Sequence, residues 1–319
     1  MSSFKNITLL GKGLLGSAIV KQLVDAGFNV TVFSRTSQVT NDLPPGVKTV
    51  QVDYSSVDNL ATALRGQDVV ICTVGTPAIS AQKTFIDAAI QAGVKRYVPS
   101  DWGALGTDPA AESLPSNAIW VDIQKYLKSK AALGQIEYNL FGVGPILEYV
   151  ISSSFVVDFQ NHTVDLYDGG VHRFSTTSFA SIGKAVVGAL KTPDATRNRL
   201  IRVHDIVLTQ GKVLELAKKY SPSDVKWTEN AVDASKELET ILSTTKQSDL
   251  NFEKWVSLLR AAVFSGKFAA EYNPSDNELV GLPILDWKEF EEIFAANFGK
   301  SLTAELVKEG KFDGIEKRV

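Results

Sequence analysis

The first 145 residues alternate between short apolar runs and amphipathic stretches. The apolar runs predict buried β-strands, and the stretches with apolar residues at every third or fourth position predict α-helices. The predicted strands are residues 7–10, 30–33, 47–52, 69–74, 96–98 and 136–141. Strands that alternate with helices over short connections form a parallel sheet covered on both faces. The pattern therefore predicts an α/β fold, a Rossmann-type doubly wound parallel sheet.

The pattern changes after about residue 145. Residues 163–167 and 171–175 are predicted to pair as a hairpin across Asp168-Gly169-Gly170, because Asp-Gly supplies the backbone angles of a tight turn. Helical segments follow near residues 182–190, 212–220, 250–264 and 287–298. We expect a Rossmann domain in residues 1–145 and a smaller C-terminal α+β substrate domain in residues 146–319. The second region can return strands or helices to the first.

Three glycines between the first strand and the first helix follow the pattern G-x-G-x-x-G. In such a loop the first glycine permits a tight turn, the second lets the backbone approach a pyrophosphate, and the third allows close packing of helix on strand. The helix N-terminus adds unpaired N–H groups and a partial positive charge. The predicted phosphate-binding residues are Gly11, Lys12, Gly13, Leu14, Leu15 and Gly16.

The end of the second strand indicates which dinucleotide is bound. NAD-binding proteins usually place an acidic residue there, which bonds the ribose 2′-hydroxyl. This chain has Ser34, Arg35 and Thr36 instead. A guanidinium can bind a 2′-phosphate, and Lys12 is a second nearby cation. The sequence therefore predicts NADP(H) as the cofactor, although Arg35 is also compatible with a solvated surface residue.

Other candidate cofactor contacts follow the later strands, since ligands of such sheets lie along the carboxyl ends of the strands. These candidates are Asp53, Gly75, Thr76, Pro77 and Ser100. Each is equally compatible with ordinary turn chemistry.

Composition narrows the class of partner. Charge is nearly balanced, with 33 Lys+Arg, 36 Asp+Glu and a net charge of −3, so nothing favours nucleic acid or an anionic membrane. The chain has one cysteine, Cys72, in an apolar run, and its three histidines show no metal-ligand spacing. No targeting or spanning segment is evident. We expect a cytoplasmic protein that acts on a small-molecule substrate and holds no metal.

Residues 93–103, Gly-Val-Lys-Arg-Tyr-Val-Pro-Ser-Asp-Trp-Gly, resemble a segment of the NmrA-like, isoflavone reductase-like family of atypical short-chain dehydrogenases. The resemblance covers roughly residues 5–145 and extends more loosely to Asp168-Gly169, Phe174 and residues 182–190. It implies an NADPH-dependent reductase or, in some members, a non-catalytic NADP(H) sensor. The chain departs from the family in the spacing of its glycine loop and in Ala180-Ser181, where many members carry an aspartate.

The resemblance also implies a functional lysine in the helix before the sixth strand. Counting back from Ile136 gives Lys125, which would orient the cofactor ribose or act as a general acid or base. Tyr126 and Lys130 spell the Y-x-x-x-K pair of ordinary short-chain dehydrogenases, but Lys125 lies roughly 7 Å closer to the carboxyl edge than Lys130. Lys125 also points off the apolar stripe of its helix, so it faces either the cleft or solvent.

Substrate contacts are expected from aromatic residues beyond the fifth and sixth strands. The candidates are Trp102, Tyr149 and Phe155, and core packing is a competing explanation for each. The leading hypothesis is a reductase that transfers a hydride from NADPH to a small aromatic, phenylpropanoid-like or enone substrate. The alternatives are an NADP(H)-sensing regulatory protein and an ordinary short-chain dehydrogenase that uses Tyr126 and Lys130.

Overall fold

The computed structural model describes residues 4–34, 43–244 and 251–300. Its strands are β1 (Asn6–Leu10), β2 (Asn29–Ser34), β3 (Lys48–Gln51), β4 (Val69–Cys72), β5 (Arg96–Val98), β6 (Glu137–Gly142), β7 (Thr163–Tyr167), β8 (Arg173–Thr176), β9 (Arg199–Arg202), β10 (Ile206–Thr209) and β11 (Thr228–Val232).

The helices follow in the same way along the chain. They are α1 (Leu14–Asp25), α2 (Val57–Leu64), α3 (Gln82–Gln91), α4 (Ala118–Ala132), α5 (Leu147–Ser152), α6 (Phe179–Lys191), α7 (Pro193–Thr196), α8 (Gln210–Tyr220), α9 (Ala234–Thr244), α10 (Phe252–Val263), α11 (Asn277–Val280) and α12 (Trp287–Asn297). None of these helices is long and apolar enough to cross a bilayer.

Seven parallel strands form the central sheet in the order β3-β2-β1-β4-β5-β6-β9. The chain starts in the middle, at β1, moves outward to β3, and then crosses back to β4. This reversal is the topological switch point of a doubly wound sheet, and it opens a crevice at the carboxyl ends of β1 and β4. The predicted Rossmann-type α/β fold is confirmed.

Both faces of the sheet are covered, as the near-continuous apolar strands require. On one face α1 and α6 share a core that includes Ile19, Leu23 and Ile182, all fully buried. On the other face α2, α3 and α4 contribute Leu60, Phe85 and Leu127 to a second core. Each fully buried side chain of this size stabilises the fold by roughly 1.5–3 kcal/mol. The packing of the helices on the two faces of the sheet therefore sets their positions relative to the carboxyl edge of the sheet.

The second half of the chain contributes to the sheet as well as forming its own core. Strand β9 pairs in parallel with β6, and α6 packs on α1 so closely that a Cβ on Gly183 would lie 2.7 Å from the Gln22 side chain. A separate apolar core joins helices α8, α10 and α12 to β7 and β8, and includes Leu214, Leu258 and Phe294. Residues from both sides of residue 145 therefore share the central sheet and also contribute to the same cores.

The predicted hairpin of residues 163–175 is wrong. Strand β7 pairs in parallel with β11, and β8 pairs antiparallel with β10, so the two strands do not pair with each other. Asp168, Gly169 and Gly170 do have positive φ angles, but they form a 3-10 turn. The turn packs instead on the start of α8, where a Cβ on Gly170 would lie 2.9 Å from the Gly211 nitrogen. In addition, Asp168 is occupied in accepting a hydrogen bond from the Ala234 N–H.

Candidate cofactor site at the carboxyl edge of the sheet

The glycine loop after β1 is held by the end of β4. Gly11 has φ +96°, and a Cβ on it would lie 2.8 Å from the Thr73 carbonyl oxygen. A Cβ on Gly16 would lie 2.4 Å from the Gly11 carbonyl oxygen and 2.8 Å from Thr73 Oγ1. That hydroxyl donates to the Gly11 carbonyl at 2.7 Å. Gly11 and Gly16 therefore allow a backbone packing that other residues would prevent.

Gly13 is different, because it is open. A Cβ on Gly13 would meet no described atom within 4 Å, and the residue is exposed. Gly13 is also the N-cap of α1, so no cap side chain competes for the first N–H groups of that helix. An approachable backbone at a helix N-terminus suits a pyrophosphate. The arrangement of these residues fits a dinucleotide.

The candidates for contact with the ribose and with the adenine come, along the sequence, at the ends of β2 and β3. Ser34 ends β2 and its carbonyl accepts the Val52 N–H at 3.0 Å. Asp53 is exposed and accepts hydrogen bonds from the N–H and hydroxyl of Ser55, which lower the pKa of its carboxyl. Arg35 lies outside the described residues. The roles of these three residues, and of Lys12, stay predictions.

The ends of β4 and β5 are tied together at Ser100. The Ser100 hydroxyl donates to the Val74 carbonyl at 2.9 Å, and its N–H donates to Gln82 Oε1 at 2.7 Å. Gly75 is exposed and begins the 3-10 turn Thr76–Ala81, which carries Thr76 and Pro77. These contacts place the 75–81 loop and Ser100 at the same edge as the glycine loop, where the cofactor contacts were expected.

The first half of α4 lies against the end of β5. Trp120 Nε1 donates to the Ser100 carbonyl at 3.0 Å. One turn later, Gln124 Nε2 donates to Asp101 Oδ2 at 2.6 Å and to the Gly106 carbonyl at 2.7 Å. Burial raises the pKa of the Asp101 carboxyl to about 6, against the opposing effect of the Gln124 hydrogen bond. Trp120 and Gln124 are thus α4 side chains that reach the carboxyl end of β5.

Lys125 lies on the outer side of the same helix. Its side chain is 66% exposed and its Nζ lies 3.1 Å from Glu112 Oε2. The structure therefore places Lys125 near the expected level of the helix but facing solvent, the second of the two orientations considered from the sequence. Its catalytic role stays a prediction.

The Y-x-x-x-K pair is engaged elsewhere. The Tyr126 hydroxyl donates to Asp87 on α3 at 2.6 Å, and Lys130 Nζ lies 3.1 Å from the same carboxylate. Lys130 also lies over the Tyr126 ring, 4.9 Å from its centroid. These contacts join α3 to α4, which gives both residues a structural explanation.

The three aromatic candidates for substrate binding lie in different surroundings. Trp102 stacks on Phe141 at 5.4 Å and its Nε1 donates to the Cys72 carbonyl at 3.0 Å. Phe155 packs against Phe264 in the core of the second half. Tyr149 is 40% exposed on α5, which lines a cavity of about 390 Å³ together with the start of α6. The structure does not gather them into one site.

Three residues that organise this edge were not singled out from the sequence: Thr73, Trp120 and Gln124. Gln124 had a detectable signal, since it is a polar residue at the border of the apolar stripe of its helix. The others bond to backbone groups that become neighbours only when the strands pair. No local pattern marks such contacts.

Comparisons with known proteins agree with this geometry. A family model described as NAD(P)H-binding matches residues 11–138. The oxidoreductase aprR of Aspergillus flavus is 30% identical over 302 residues, covering 92% of this chain and 98% of that protein. An NmrA-like family domain-containing oxidoreductase of Gibberella moniliformis is 23% identical over 236 residues, 66% of this chain and 75% of that protein. A crystal structure of isoflavone reductase is similar with a TM-score of 0.72 at 20% identity, covering 92% of this chain and 99% of that one.

The sheet order, the open glycine loop and the matching family model define an NAD(P)H-binding protein with a Rossmann-type fold. More particularly, the chain belongs to the NmrA-like, isoflavone reductase-like family. The family predicted from residues 93–103 is confirmed.

Proposed function

We propose that the chain is a reductase that transfers a hydride from NADPH to a small aromatic or enone-like substrate. The observation that carries the proposal is the glycine loop, which is packed at Gly11 and Gly16 and open at Gly13. The names of the relatives, oxidoreductase and isoflavone reductase, support the reaction class and an aromatic substrate.

In this proposal the pyrophosphate lies on residues 11–16, and Arg35 with Lys12 binds the 2′-phosphate. Gly75, Thr76, Pro77 and Ser100 lie along the nicotinamide half, as their place at the carboxyl edge allows. The cofactor supplies the hydride, and the protein orients the acceptor and excludes water. Lys125 would donate a proton to the reduced substrate. To do so, its ammonium must leave the 3.1 Å contact with Glu112 and turn toward the cleft.

The first experiment follows the absorbance of NADPH with a panel of phenylpropanoid and enone substrates. We expect turnover by the wild type and a loss of at least ~100-fold in kcat for Lys125→Ala, as for the removal of a general acid. Lys130→Ala is the matched control on the same helix. Unchanged turnover in Lys125→Ala would remove that residue from the mechanism, and a loss confined to Lys130→Ala would favour the ordinary short-chain dehydrogenase pair.

The choice of cofactor is tested separately. Arg35→Ala is expected to weaken NADPH binding by ~10–100-fold and to leave NADH binding nearly unchanged, because only NADPH carries the charged 2′-phosphate. Titration of the protein with both nucleotides measures this. An equal loss for the two nucleotides would show that Arg35 does not read the 2′-phosphate.

A second candidate function is a non-catalytic NADP(H) sensor. It is favoured by one observation: the α4 side chains that reach the carboxyl edge include an indole, Trp120, and an amide, Gln124, whereas Lys125 faces solvent. An amide cannot transfer a proton as a general acid or base does. Tight NADPH binding without oxidation by any compound of the panel would support the sensor over the reductase.

A further inference from the structure

An aromatic cluster joins the two halves of the protein beside the cofactor edge. Trp120 of α4 and Trp255 of α10 lie with ring centroids 6.5 Å apart at 39°. Phe252, the first residue of α10, stacks on Trp255 at 6.2 Å and 24°. We call these three rings the aromatic wall.

The wall lies at the carboxyl edge because Trp120 is anchored there. Its indole N–H donates to the carbonyl of Ser100, and its ring packs against the core that contains Ile79 of the 75–81 loop. The hydroxyl, N–H and carbonyl of Ser100 are all engaged, by Val74, Gln82 and Trp120. The polar groups of Ser100 are therefore already hydrogen-bonded, and the apolar ring of Trp120 lies next to them.

The pattern of α10 shows that the wall is more than an extension of the core. Leu258 of α10 is fully buried in the second-half core, and Trp255 and Phe252 continue the same stripe at three-residue spacing. Burial falls along this stripe, and Phe252 remains 56% exposed. Trp255 is partly buried and contacts the rings of both Trp120 and Phe252. The stripe thus leaves the core at Phe252 and is joined through Trp255 to Trp120, whose indole N–H bonds to Ser100 at the carboxyl edge.

We propose that Trp120, Trp255 and Phe252 determine specificity by stacking on an uncharged, planar aromatic ring of the substrate. Flat rings prefer offset-stacked or edge-to-face contact with other rings, and a tilted pair of indoles offers both. This inference rests on the proposed reductase function. It concerns how the substrate ring is recognised, whereas the proposed function concerns hydride transfer.

The test compares two ligands that differ only in the ring. 4-Phenylbut-3-en-2-one carries a planar ring, and 4-cyclohexylbut-3-en-2-one carries a saturated one on the same enone. Dissociation constants are measured by ligand-detected NMR on the full chain saturated with NADP⁺, so that no reduction occurs. We expect the wild type to prefer the phenyl compound by roughly 10-fold, and Trp255→Leu and Phe252→Leu to lower this ratio to roughly 2-fold or less.

Trp287→Leu is the control, because Trp287 is also 40% exposed and lies on α12, where its neighbours are Phe290 and Lys212. It is expected to keep the wild-type ratio. A wild type that does not prefer the phenyl compound, or wall variants that keep its preference, would overturn the proposal. Ring preference in a protein that never oxidises NADPH would instead refute the reductase function and leave the aromatic wall standing.

Discussion

The start of α1 and the start of α4 meet the same edge of the sheet, but they are held there by different means. At α1 the contacts are made by backbone: the Gly11 carbonyl, the Thr73 carbonyl and the missing side chains of three glycines. At α4 the contacts are made by long side chains, Trp120 and Gln124, which reach the backbone and carboxylate that follow β5. The first end therefore leaves helix N–H groups open to a ligand, whereas the second is held by side chains that are already hydrogen-bonded.

The largest expected effect is at the α1 end. In Gly16→Ala the new methyl would lie 2.4 Å from the Gly11 carbonyl oxygen, so backbone must move. We expect the free energy of unfolding to fall by about 3 kcal/mol. Gly13→Ala is the matched control, because its methyl meets open space, and a change within about 1 kcal/mol is expected. Chemical denaturation measures both.

Measurement of cofactor binding gives a second test of the difference between Gly13 and Gly16. Gly13→Ala is expected to weaken NADPH binding by at least ~10-fold while it folds normally, since the methyl occupies the space through which the pyrophosphate approaches the backbone. Fluorescence titration of the nucleotide measures this. Full NADPH affinity in Gly13→Ala would mean that the open side of the loop is not the phosphate site.

An intermediate effect is expected at the α4 end. Gln124→Leu removes the donor to Asp101 and to the Gly106 carbonyl, and leaves a buried carboxylate without it, so a loss of about 2 kcal/mol in the free energy of unfolding is expected. Lys125→Ala removes only an exposed ion pair with Glu112, and a change within about 0.5 kcal/mol is expected. If Lys125→Ala proved the more destabilising, the assignment of inner and outer sides to α4 would be reversed.

The smallest expected effect is a change in the free energy of unfolding with pH, caused by the ionisation of Asp101. Burial raises the pKa of Asp101 from 3.8 to about 6, so between these values the folded protein keeps a proton that the unfolded chain releases. Asp101 therefore lowers stability as the pH rises from about 4 to about 6, and the penalty persists above that range. Asp101→Asn should match the wild type near pH 4 and be the more stable of the two near pH 7.

Asp53→Asn serves as a control, because the stability that Asp53 contributes is expected to change with pH in the opposite direction to that of Asp101. Hydrogen bonds from Ser55 lower the pKa of Asp53, so its contribution to stability is present at neutral pH and is lost as the pH falls. Asp53→Asn should therefore be less stable than the wild type near pH 7 and equal to it in acid. Thermal unfolding across the pH range distinguishes the two carboxyl groups, and changes of the same sign in both variants would contradict the assignment.

The difference between the two helix ends also explains what the sequence could predict. The glycine loop follows from local rules, because turn angles, strand periodicity and helix starts involve residues that are close along the chain. Lys125 was located by counting from β6, and a step of one residue rotates a helix by about 100°. The count therefore leads to Lys125, which faces solvent, while the adjacent residue that faces inward is Gln124.

The failure of the predicted hairpin has a related cause. Residues 163–176 contain two strands and a glycine-containing turn, as their sequence indicates. The partners of those strands, β11 and β10, lie further along the chain, and a choice between partners depends on the whole packed structure. The sequence pattern indicated where strands form but not which strands pair.

The position of β9 and α6 has a consequence for synthesis on the ribosome. Chains emerge N-terminus first, so β6 is complete before its neighbour β9 exists. Until residue 202 has been made, β6 is a bare edge with unpaired backbone groups, and the face of α1 that Gly183 later covers is exposed to water. The nascent cofactor unit must therefore be protected from aggregation, or remain incomplete, until the second half arrives to finish it.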